Sequence, residues 1–313
     1  MRILLTGATS FTGFWFAKEL AKAGHEIVAT FRQVEGGYIG VRSERVHGIA
    51  GFLEPVWGCA FGDEKFKQLV SVGRFDLICH HGARVEGYKS MDFDIATALA
   101  ENTRSLSFIL AAGKVQGLKA VVLTGSVFEQ NEGIGNEPRL AFSPYGLSKG
   151  MTSDTFRFWC AYHNVPLKKF VIPNPFGPYE DPRFCDYLMR CWVKGEVATV
   201  KTPAYVRDNI HVSLLAQAYV QFVGGTIDDV AKFTHFGPSG YVESQGAFAQ
   251  RFSAAMRLRM KLECKLELVR QREFAEPAVR MNVDVLDTGA LGWNEDSAWD
   301  DLAEYYRRLY VIK

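Results

Sequence analysis

The sequence lacks any excess of charge of one sign. Its 36 Lys and Arg residues balance 35 Asp and Glu residues, for a formal net charge of +1, and like charges form no long runs. Proteins that bind nucleic acid or anionic membranes usually carry a basic patch, so we expect neither partner here. The composition therefore favours chemistry on a small molecule.

Long apolar segments are absent as well. No run reaches the about 18 apolar residues that a membrane-spanning helix needs, and the glycine turn starting at Gly7 leaves no room for a signal peptide. We therefore expect a cytoplasmic protein. Internal repeats and low-complexity tracts are also lacking, and 313 residues of which 48% are hydrophobic can bury a large core in one or two domains.

Cysteine is scarce and shows no paired spacing. None of the six cysteines belongs to a C-x-x-C pair, and several lie in apolar stretches typical of buried thiols. We therefore expect neither a disulfide framework nor a metal site.

What the sequence does contain is a glycine turn between a strand and a helix. An apolar strand at 3–5 leads into TGATSFTG at 6–13, then into a helix that runs to about Ala23 and ends at Gly24, and a second strand follows at 26–31. Strand, glycine turn, helix and strand in this order are typical of a dinucleotide-binding unit. The order of elements predicts a nucleotide site here.

The turn has two glycines with separate roles. Gly7 lets the backbone turn sharply as the strand ends, Gly13 removes a side chain where helix and sheet pack, and the amides between them face a pyrophosphate. Ser10 replaces the middle glycine of a G-x-x-G-x-x-G pattern and could donate its hydroxyl to the phosphate. The residues of the turn that we expect at the cofactor are Gly7, Thr9, Ser10, Phe11, Thr12 and Gly13.

Arg32 follows the second strand directly, where NAD-binding proteins usually carry an acidic residue for the ribose hydroxyls. A guanidinium at that place can pair with the 2′-phosphate of NADP. We therefore predict NADP as cofactor, with NAD less favoured.

Further strands and helices alternate along the chain. We predict strands at about 56–60, at 75–83 (FDLICHHGA) and at 119–126 (KAVVLTGS), and a long helix at 92–114. Alternation of this kind predicts a doubly wound parallel α/β sheet, whose ligands lie beyond the carboxyl ends of the strands. His81, Gly82, Ala83 and Thr124 should therefore lie at the cofactor, although a structural role for His81 is favoured over a catalytic one.

Tyr145 and Lys149 lie four residues apart in SPYGLSKG, where Pro144 marks a helix start. A free tyrosine titrates at about pH 10, and a nearby ammonium favours the phenolate, which makes the hydroxyl usable as an acid or base. The pair alone is weak support, because the chain has twelve tyrosines. Its place after the glycine turn and the strands strengthens it.

Five motifs together resemble the extended short-chain dehydrogenases/reductases, in the epimerase/dehydratase branch that acts on nucleotide sugars. They are TGATSFTG, LTGSVFE, YGLSK, NPFGP and RDNIHV, and they extend over most of the chain. Phe128 matches the tyrosine of the family's V-Y-G, and four residues before it stands Thr124. The resemblance implies that Thr124, with Ser126 as second choice, holds the reacting oxygen, that Tyr145 transfers a proton, and that Lys149 binds the nicotinamide ribose.

The resemblance also implies a smaller substrate-binding lobe. We expect the Rossmann domain at 1–173 plus about 206–232, and the lobe at about 174–205 and 233–313. In relatives the corresponding asparagine contacts substrate and two arginines bind its diphosphate, which points to Asn174, Arg207 and Arg280, with Ser126 beside the sugar; a plain salt-bridged role for either arginine stays open. Relatives also form homodimers through helices at about 92–114 and 145–163.

These observations predict an NADP-dependent oxidoreductase acting on a nucleotide-linked sugar, with a 4-keto sugar reductase as the first choice. A 4-epimerase with tightly held NAD(P), a reductase of a non-nucleotide carbonyl compound, and a non-enzymatic dinucleotide sensor are the alternatives. A 4,6-dehydratase is not expected, because Gly125 and Ser126 stand where such enzymes carry an acid and a base. Glu129 is the one nearby acid that could compensate.

Overall fold

The structure, a computed structural model, describes residues 1–310. The chain forms two compact units, described separately below. The first unit comprises 1–132, 140–172 and 216–237, and the second comprises 133–139, 173–215 and 238–313, of which 311–313 lie outside the described residues.

The elements are numbered in chain order. The strands are β1 Arg2–Thr6, β2 Glu26–Phe31, β3 Glu54–Trp57, β4 Leu77–His80, β5 Ala120–Ser126, β6 Ile134–Gly135, β7 Leu167–Ile172, β8 Asn174–Phe176, β9 Ala198–Val200, β10 Val206–His211, β11 Phe233–Phe236, β12 Pro238–Ser239, β13 Tyr241–Ser244, β14 Leu266–Leu268, β15 Val279–Met281 and β16 Asp284–Val285. The helices are α1 Phe11–Lys22, α2 Val41–Ile49, α3 Glu64–Val72, α4 Ile95–Asn102, α5 Leu106–Val115, α6 Pro144–His163, α7 Phe184–Val193, α8 Val212–Gly225, α9 Gln245–Met260 and α10 Glu295–Tyr310.

The first unit is built on a seven-stranded parallel sheet in the order β11-β7-β5-β4-β1-β2-β3. The order reverses at β1, which pairs with β2 on one side and β4 on the other. Ligands of doubly wound sheets bind at such a reversal, beyond the carboxyl ends of the strands. The predicted α/β fold class is confirmed.

Both faces of this sheet carry apolar packing, which explains why its strands are nearly continuous apolar runs. On one face, strand residues such as Leu4 and Val121 join one buried cluster with Phe66 of α3, Ile109 of α5 and Phe156 of α6. The other face holds a stack of aromatic rings: Phe16 of α1 lies 3.9 Å from Tyr219 of α8, and both rings contact Phe170 of β7.

Most predicted elements of this unit are confirmed, including α1, β2, β5 and the start of α6 at Pro144. The expected strand at 56–60 instead occupies 54–57, because Gly58, at φ +59°, turns the backbone away.

The prediction of one helix at 92–114 is wrong. Asp94 caps Thr97 N, so α4 starts only at Ile95. Ser105 then adopts φ +54° and donates its hydroxyl to Gly62 O at 2.9 Å, which separates α4 from α5.

The second unit holds a mixed five-stranded sheet. Its order is β13-β10-β15-β6, and β8 pairs with β10. Helices α7, α9 and α10 supply a separate buried cluster around Leu188, Phe252, Trp299 and Tyr306. The segment expected to return to the Rossmann domain at 206–232 is divided, because β10 and the start of α8 up to Leu215 belong to the second unit and the rest of that segment belongs to the first.

Gly13 provides a test of the packing at the glycine turn. In most helices Gly→Ala stabilises by about 1 kcal/mol, but a Cβ on Gly13 would lie 2.2 Å from Gly7 O and 2.7 Å from Ser10 Oγ. We expect Gly13→Ala to lower the free energy of unfolding by roughly 1–3 kcal/mol, measured by urea denaturation. Gly224→Ala in α8 is the matched control, since a Cβ there meets nothing within 4 Å and should stabilise. A stabilising Gly13→Ala would contradict the packing described.

Candidate active site

The glycine turn closes tightly between β1 and α1. Gly7 has φ +79°, and Ser10 N donates to Gly7 O at 3.0 Å. A Cβ on Gly7 would lie 2.7 Å from Gly82 N, because the loop after β4 passes directly against the turn. Gly82 N in turn donates to Thr6 Oγ1 at 2.8 Å. The structure thus brings together the two glycine-containing loops that the sequence placed at the cofactor.

The N-terminus of α1 fits an anion. The first turn of α1 carries no acidic residue, so the partial positive charge of the helix end is not neutralised by the helix itself. Arg45 of α2 is fully buried and donates to Thr9 O at 3.2 Å, which holds the backbone of the glycine turn. No pattern in the sequence indicates this contact. Because Gly7 and Gly13 carry no side chain, a ligand can approach the backbone of the turn closely. The site therefore suits the pyrophosphate of a dinucleotide.

The hydroxyl of Ser10 is engaged within the protein. It accepts from Gly13 N at 3.1 Å, lies 2.9 Å from Gly7 O as a donor, and lies 2.9 Å from His81 Nε2. Ser10 is therefore the N-cap of α1. The expected donation of this hydroxyl to a phosphate stays a prediction, whereas the backbone role of the turn does not depend on it.

His81 connects the glycine turn to β5. Its Nε2 also lies 3.1 Å from Thr12 Oγ1, and its Nδ1 lies 3.1 Å from Thr124 Oγ1. Burial and the charge of Lys149 lower the pKa of His81 to about 3, so the ring is neutral at physiological pH. A neutral imidazole that bridges hydroxyls supports the structural role favoured from the sequence.

Thr124 and Lys149 meet where β5 ends. Thr124 is 3% exposed, and its carbonyl oxygen accepts a hydrogen bond from Lys149 Nζ at 2.6 Å. Burial lowers the pKa of Lys149, opposed by the charge of Glu129 and assisted by that of Lys169. Ser126, on the same face of the strand, is more exposed than Thr124, and its Oγ accepts from Phe128 N at 3.2 Å.

Tyr145 lies in the first turn of α6, one helical turn before Lys149. Ser143 caps this helix by accepting from Gly146 N at 3.2 Å, and Pro144 occupies its first position, which fixes where the tyrosine emerges. The ring is half-buried, with Tyr88 and Phe93 packed edge-on at 5.7 Å and 5.8 Å between centroids. Neither aromatic neighbour carried a recognisable signal in the sequence.

Glu129 is not available as a base. It is fully buried, with Oε1 accepting from Ser126 N at 2.7 Å and Oε2 accepting from Lys169 Nζ at 2.7 Å. Both carboxylate oxygens are therefore engaged. The one acid that could have compensated for Gly125 and Ser126 in a dehydration is used to hold the loop.

Arg32 is exposed at the end of β2. The preceding residue, Phe31, packs on Trp57 of β3 at 4.4 Å between ring centroids. This packing fixes the backbone at the carboxyl end of β2, which Arg32 follows directly. Contact of its guanidinium with a cofactor stays a prediction.

Three of the four expected substrate residues, Asn174, Arg207 and Arg280, belong to the sheet of the second unit, whereas Ser126 ends β5 in the first unit. Asn174 on β8 donates from Nδ2 to Asn209 Oδ1 on β10 at 2.6 Å. Arg207 on β10 stands in register with Arg280 on β15, which brings the two predicted arginines onto neighbouring strands.

Both arginines have protein surroundings. Arg280 is fully buried. Arg207 donates to Glu276 Oε2 at 3.0 Å and to the carbonyl oxygens of Val206 and Pro277 at 2.9 Å and 3.0 Å, while burial lowers its pKa. The salt-bridged alternative for Arg207 is thus what the structure contains, and phosphate binding by either arginine stays a prediction.

Family comparison agrees with this geometry. Residues 3–226 match the model of the NAD dependent epimerase/dehydratase family. The chain belongs to this family. Its members are enzymes of the extended short-chain dehydrogenase/reductase kind, so the predicted family and enzyme class are confirmed. No curated protein matches the sequence.

Solved structures share the fold at low sequence identity. A phenylalanine mutant of UDP-glucuronic acid 4-epimerase from Bacillus cereus, in complex with UDP-4-deoxy-4-fluoro-glucuronic acid and NAD, is similar with a TM-score of 0.76, 15% identity and coverage of 99% of this chain and 100% of that one. UDP-glucose 4-epimerase from Thermotoga maritima gives 0.73, 17% and 99% of each chain. The dTDP-glucose 4,6-dehydratase of Streptomyces venezuelae, with NAD bound, gives 0.72, 16%, 98% of this chain and 97% of that one.

From the sequence we expect no membrane-spanning helix. Among residues 1–310, none of the helices combines the length and the apolar character needed to cross a bilayer.

His80 makes the stability of the first unit depend on pH. Burial, then the charge of Lys149, lowers its pKa from 6.5 to about 3. Below pH 6.5 this histidine binds a proton in the unfolded chain but not in the folded protein. Its contribution to the free energy of unfolding is therefore fully present above pH 6.5 and falls by about 1.4 kcal/mol per pH unit as the pH drops towards 3.

We expect His80→Phe to remove this loss, because the ring site beside Phe61 and Phe156 accepts an aromatic side chain. Urea denaturation at pH 7.5 and pH 5 should show a pH-dependent loss smaller than the parent's by about 2 kcal/mol. His47→Gln, at an exposed position of α2, is the control and should keep the parent's loss. An unchanged loss in His80→Phe would show that this ring is not held neutral.

Proposed function

We propose that the protein is an NADP-dependent reductase of a nucleotide-linked 4-keto sugar. The observation that carries the proposal is the hydrogen bond from Lys149 Nζ to Thr124 O, which joins the helix of Tyr145 to the end of β5, where His81 links Thr124 to the glycine turn. One site of the first unit thus combines a fit for a dinucleotide with a tyrosine that can carry a proton.

When bound, the nicotinamide cofactor would supply the hydride to the sugar carbon. Tyr145 donates its hydroxyl proton to the oxygen that gains negative charge, and the ammonium of Lys149, one turn along the helix, favours the resulting phenolate. Lys149 also binds the ribose of the cofactor. Thr124, or Ser126 in its place, orients the reacting oxygen by hydrogen bonding.

Dehydration is disfavoured by the residues that follow Thr124. Gly125 has no side chain to exchange a proton, and a Cβ there would lie 2.6 Å from Lys169 Cε. Because Glu129 is buried and engaged, the loop lacks an acid and base pair for removing water from a sugar.

A 4-epimerase is the second candidate, favoured by family membership. Retention of tightly bound cofactor through purification would distinguish it from a reductase.

The activity test uses purified protein, NADPH and 4-keto sugars linked to UDP, CDP, GDP or dTDP. We expect one of them to be reduced with oxidation of NADPH. Tyr145→Phe should lose roughly 10²- to 10⁴-fold in turnover, the usual contribution of a general acid, while cofactor affinity and thermal stability remain. Thr124→Ala should lose less. A near-normal rate in Tyr145→Phe would place the proton transfer elsewhere.

The cofactor preference rests on Arg32, at the end of β2. A guanidinium that pairs with the 2′-phosphate contributes about 1.5–3 kcal/mol, so Arg32→Ala should weaken NADPH roughly tenfold or more and leave NADH unchanged. Fluorescence titration of both cofactors measures this. Arg42→Ala removes another exposed cation of the same unit and should leave both affinities unchanged. Equal NADPH affinity in Arg32→Ala and the parent would remove the argument for NADP.

The second unit is proposed to recognise the substrate through Asn174, Arg207 and Arg280. Removing either arginine should weaken binding of one nucleoside diphosphate roughly tenfold or more and leave cofactor affinity unchanged. Inhibition constants of UDP, CDP, GDP and dTDP on Arg207→Ala and Arg280→Ala measure this effect.

Because both arginines are at least partly buried, Arg207→Lys and Arg280→Lys accompany them, as they keep the charge but lose the planar fork. Arg251→Ala, which breaks a more exposed pair with Glu243 in the same unit, is the matched control. A parent protein that binds no nucleoside diphosphate at millimolar concentration would favour a non-nucleotide carbonyl substrate instead.

A cytoplasmic location and a homodimer formed through the α4–α5 region and α6 complete the proposal. Sedimentation of the purified protein would measure the oligomeric state.

A further inference from the structure

Four ionisable side chains form a connected group behind the end of β5. Lys169 Nζ on β7 lies 2.7 Å from Glu129 Oε2 and 2.5 Å from Glu132 Oε1, and His235 Nε2 on β11 lies 2.7 Å from Glu132 Oε2. We call Glu129, Glu132, Lys169 and His235 the Lys169 network. All four belong to the first unit.

The network is buried at its centre. Glu129 is 0% exposed, Lys169 5% and Glu132 8%. Burial opposes the charge on Lys169, but the two carboxylates outweigh it and raise its pKa. Burial likewise opposes ionisation of Glu132, whereas its hydrogen bond to His235 and the charge of Lys169 lower its pKa. Buried ion pairs of this kind seldom make a protein more stable than apolar packing would. A contribution of these charges to the site is therefore the more informative question.

Glu129 reaches from the network into the loop that follows Thr124. Its Oε1 accepts the hydrogen bond of Ser126 N at 2.7 Å, and a Cβ on Gly125 would lie 3.1 Å from the same oxygen. The backbone between Thr124 and Ser126 is therefore held by a carboxylate whose other oxygen is fixed by Lys169.

Glu129 also acts electrostatically on Lys149. Lys149 is 6% exposed, and the charged groups that act on its ammonium are Glu129, which stabilises the charge, and Lys169, which opposes it. His80 and His81 face it from the end of β4 and remain neutral, because their pKa values are lowered to about 3. Glu129 is thus the negative charge that acts on Lys149.

We propose that Glu129 is a positioning residue of this site: its carboxylate, held by Lys169, fixes the backbone of Gly125 and Ser126 next to the Thr124 carbonyl that binds Lys149, and supplies negative charge beside that ammonium. The inference deepens the proposed function, since Lys149 matters there as a cation beside Tyr145. Glu132 and His235 hold Lys169 in place, and Lys169 in turn holds Glu129.

The sign of the effect follows from the charges. Glu129→Gln keeps an oxygen that can accept from Ser126 N but removes the negative charge, whereas the opposing charge of Lys169 remains. The pKa of Lys149 should therefore fall. In the double variant Glu129→Gln/Lys169→Met both influences are gone, so the fall should be smaller than in the single variant.

The chain offers a matched control on the neighbouring residue of β7. Lys168, 1% exposed, is also a buried cation, and it donates to Asp229 Oδ2 at 2.6 Å and to Ala231 O at 2.7 Å. Successive residues of a strand point to opposite faces of the sheet, so Lys168 lies on the other face from Lys169. Lys168→Met should cost stability and leave the titration of Lys149 unchanged.

The experiment is an NMR titration of the full chain without cofactor, with lysine labelled by ¹³C and ¹⁵N and the Lys149 signal identified by its loss in Lys149→Arg. We expect a lower titration midpoint in Glu129→Gln than in the parent, a smaller decrease in the double variant, and no change in Lys168→Met. The basic limb of kcat/KM against pH should move to lower pH in Glu129→Gln.

An identical Lys149 midpoint in the parent, Glu129→Gln and the double variant would overturn the inference, as would an equal shift in Lys168→Met. The double variant decides the matter if Glu129→Gln fails to fold. Because the titration needs no substrate, a shifted midpoint in a protein that reduces no nucleotide sugar would refute the proposed function and leave the role of Glu129 intact.

Discussion

The approach of two backbone segments at the reversal point of the parallel sheet is the constraint on which the site depends. A Cβ on Gly7 would lie 2.7 Å from Gly82 N, and Thr6 Oγ1 fixes the separation of the two loops by accepting from Gly82 N. Three residues after Gly7, Ser10 caps α1 and lies 2.9 Å from His81 Nε2 through its hydroxyl. Hydrogen bonds thereby connect the glycine turn, the end of β4 and the end of β5, and the side chains that make them are at least partly buried.

Buried charge is the second feature that sets this unit apart from a simple apolar core. Lys149, Lys168 and Lys169 are all nearly inaccessible to solvent, and each is bound to carbonyl or carboxylate oxygens. A charged group loses its hydration when it is buried, and only well-placed hydrogen-bond partners offset the free energy of that loss. Lys168 fastens the segment after α8, whereas Lys149 and Lys169 lie at the proposed catalytic loop, so similar chemistry serves the fold in one case and the site in the other.

The second unit shows how strand register brings polar residues from separate segments of the chain together. Pairing of β10 with β15 aligns Arg207 with Arg280. The next residue of β10, Asp208, accepts from Gly240 N at 2.7 Å and from Asn282 N at 3.2 Å. Burial raises the pKa of Asp208 against these hydrogen bonds. Arg280 and Asp208 are buried in this sheet, and the two adjacent arginines are the physical basis for proposing that the unit recognises an anionic substrate.

The sequence by itself determined the features that depend on local pattern: the turn at Gly7, the proline that starts α6, the apolar strands and the family. Tertiary structure alone decided what depends on distant contacts. Ser105 breaks a helix that periodicity made continuous, because its hydroxyl meets Gly62, and Ser10 is engaged as a cap against His81. By its place in the sequence Glu129 is a possible base, but in the structure it accepts a hydrogen bond from Lys169, forty residues later. Local pattern cannot reveal such pairings, since they arise only when the sheet brings separate strands side by side.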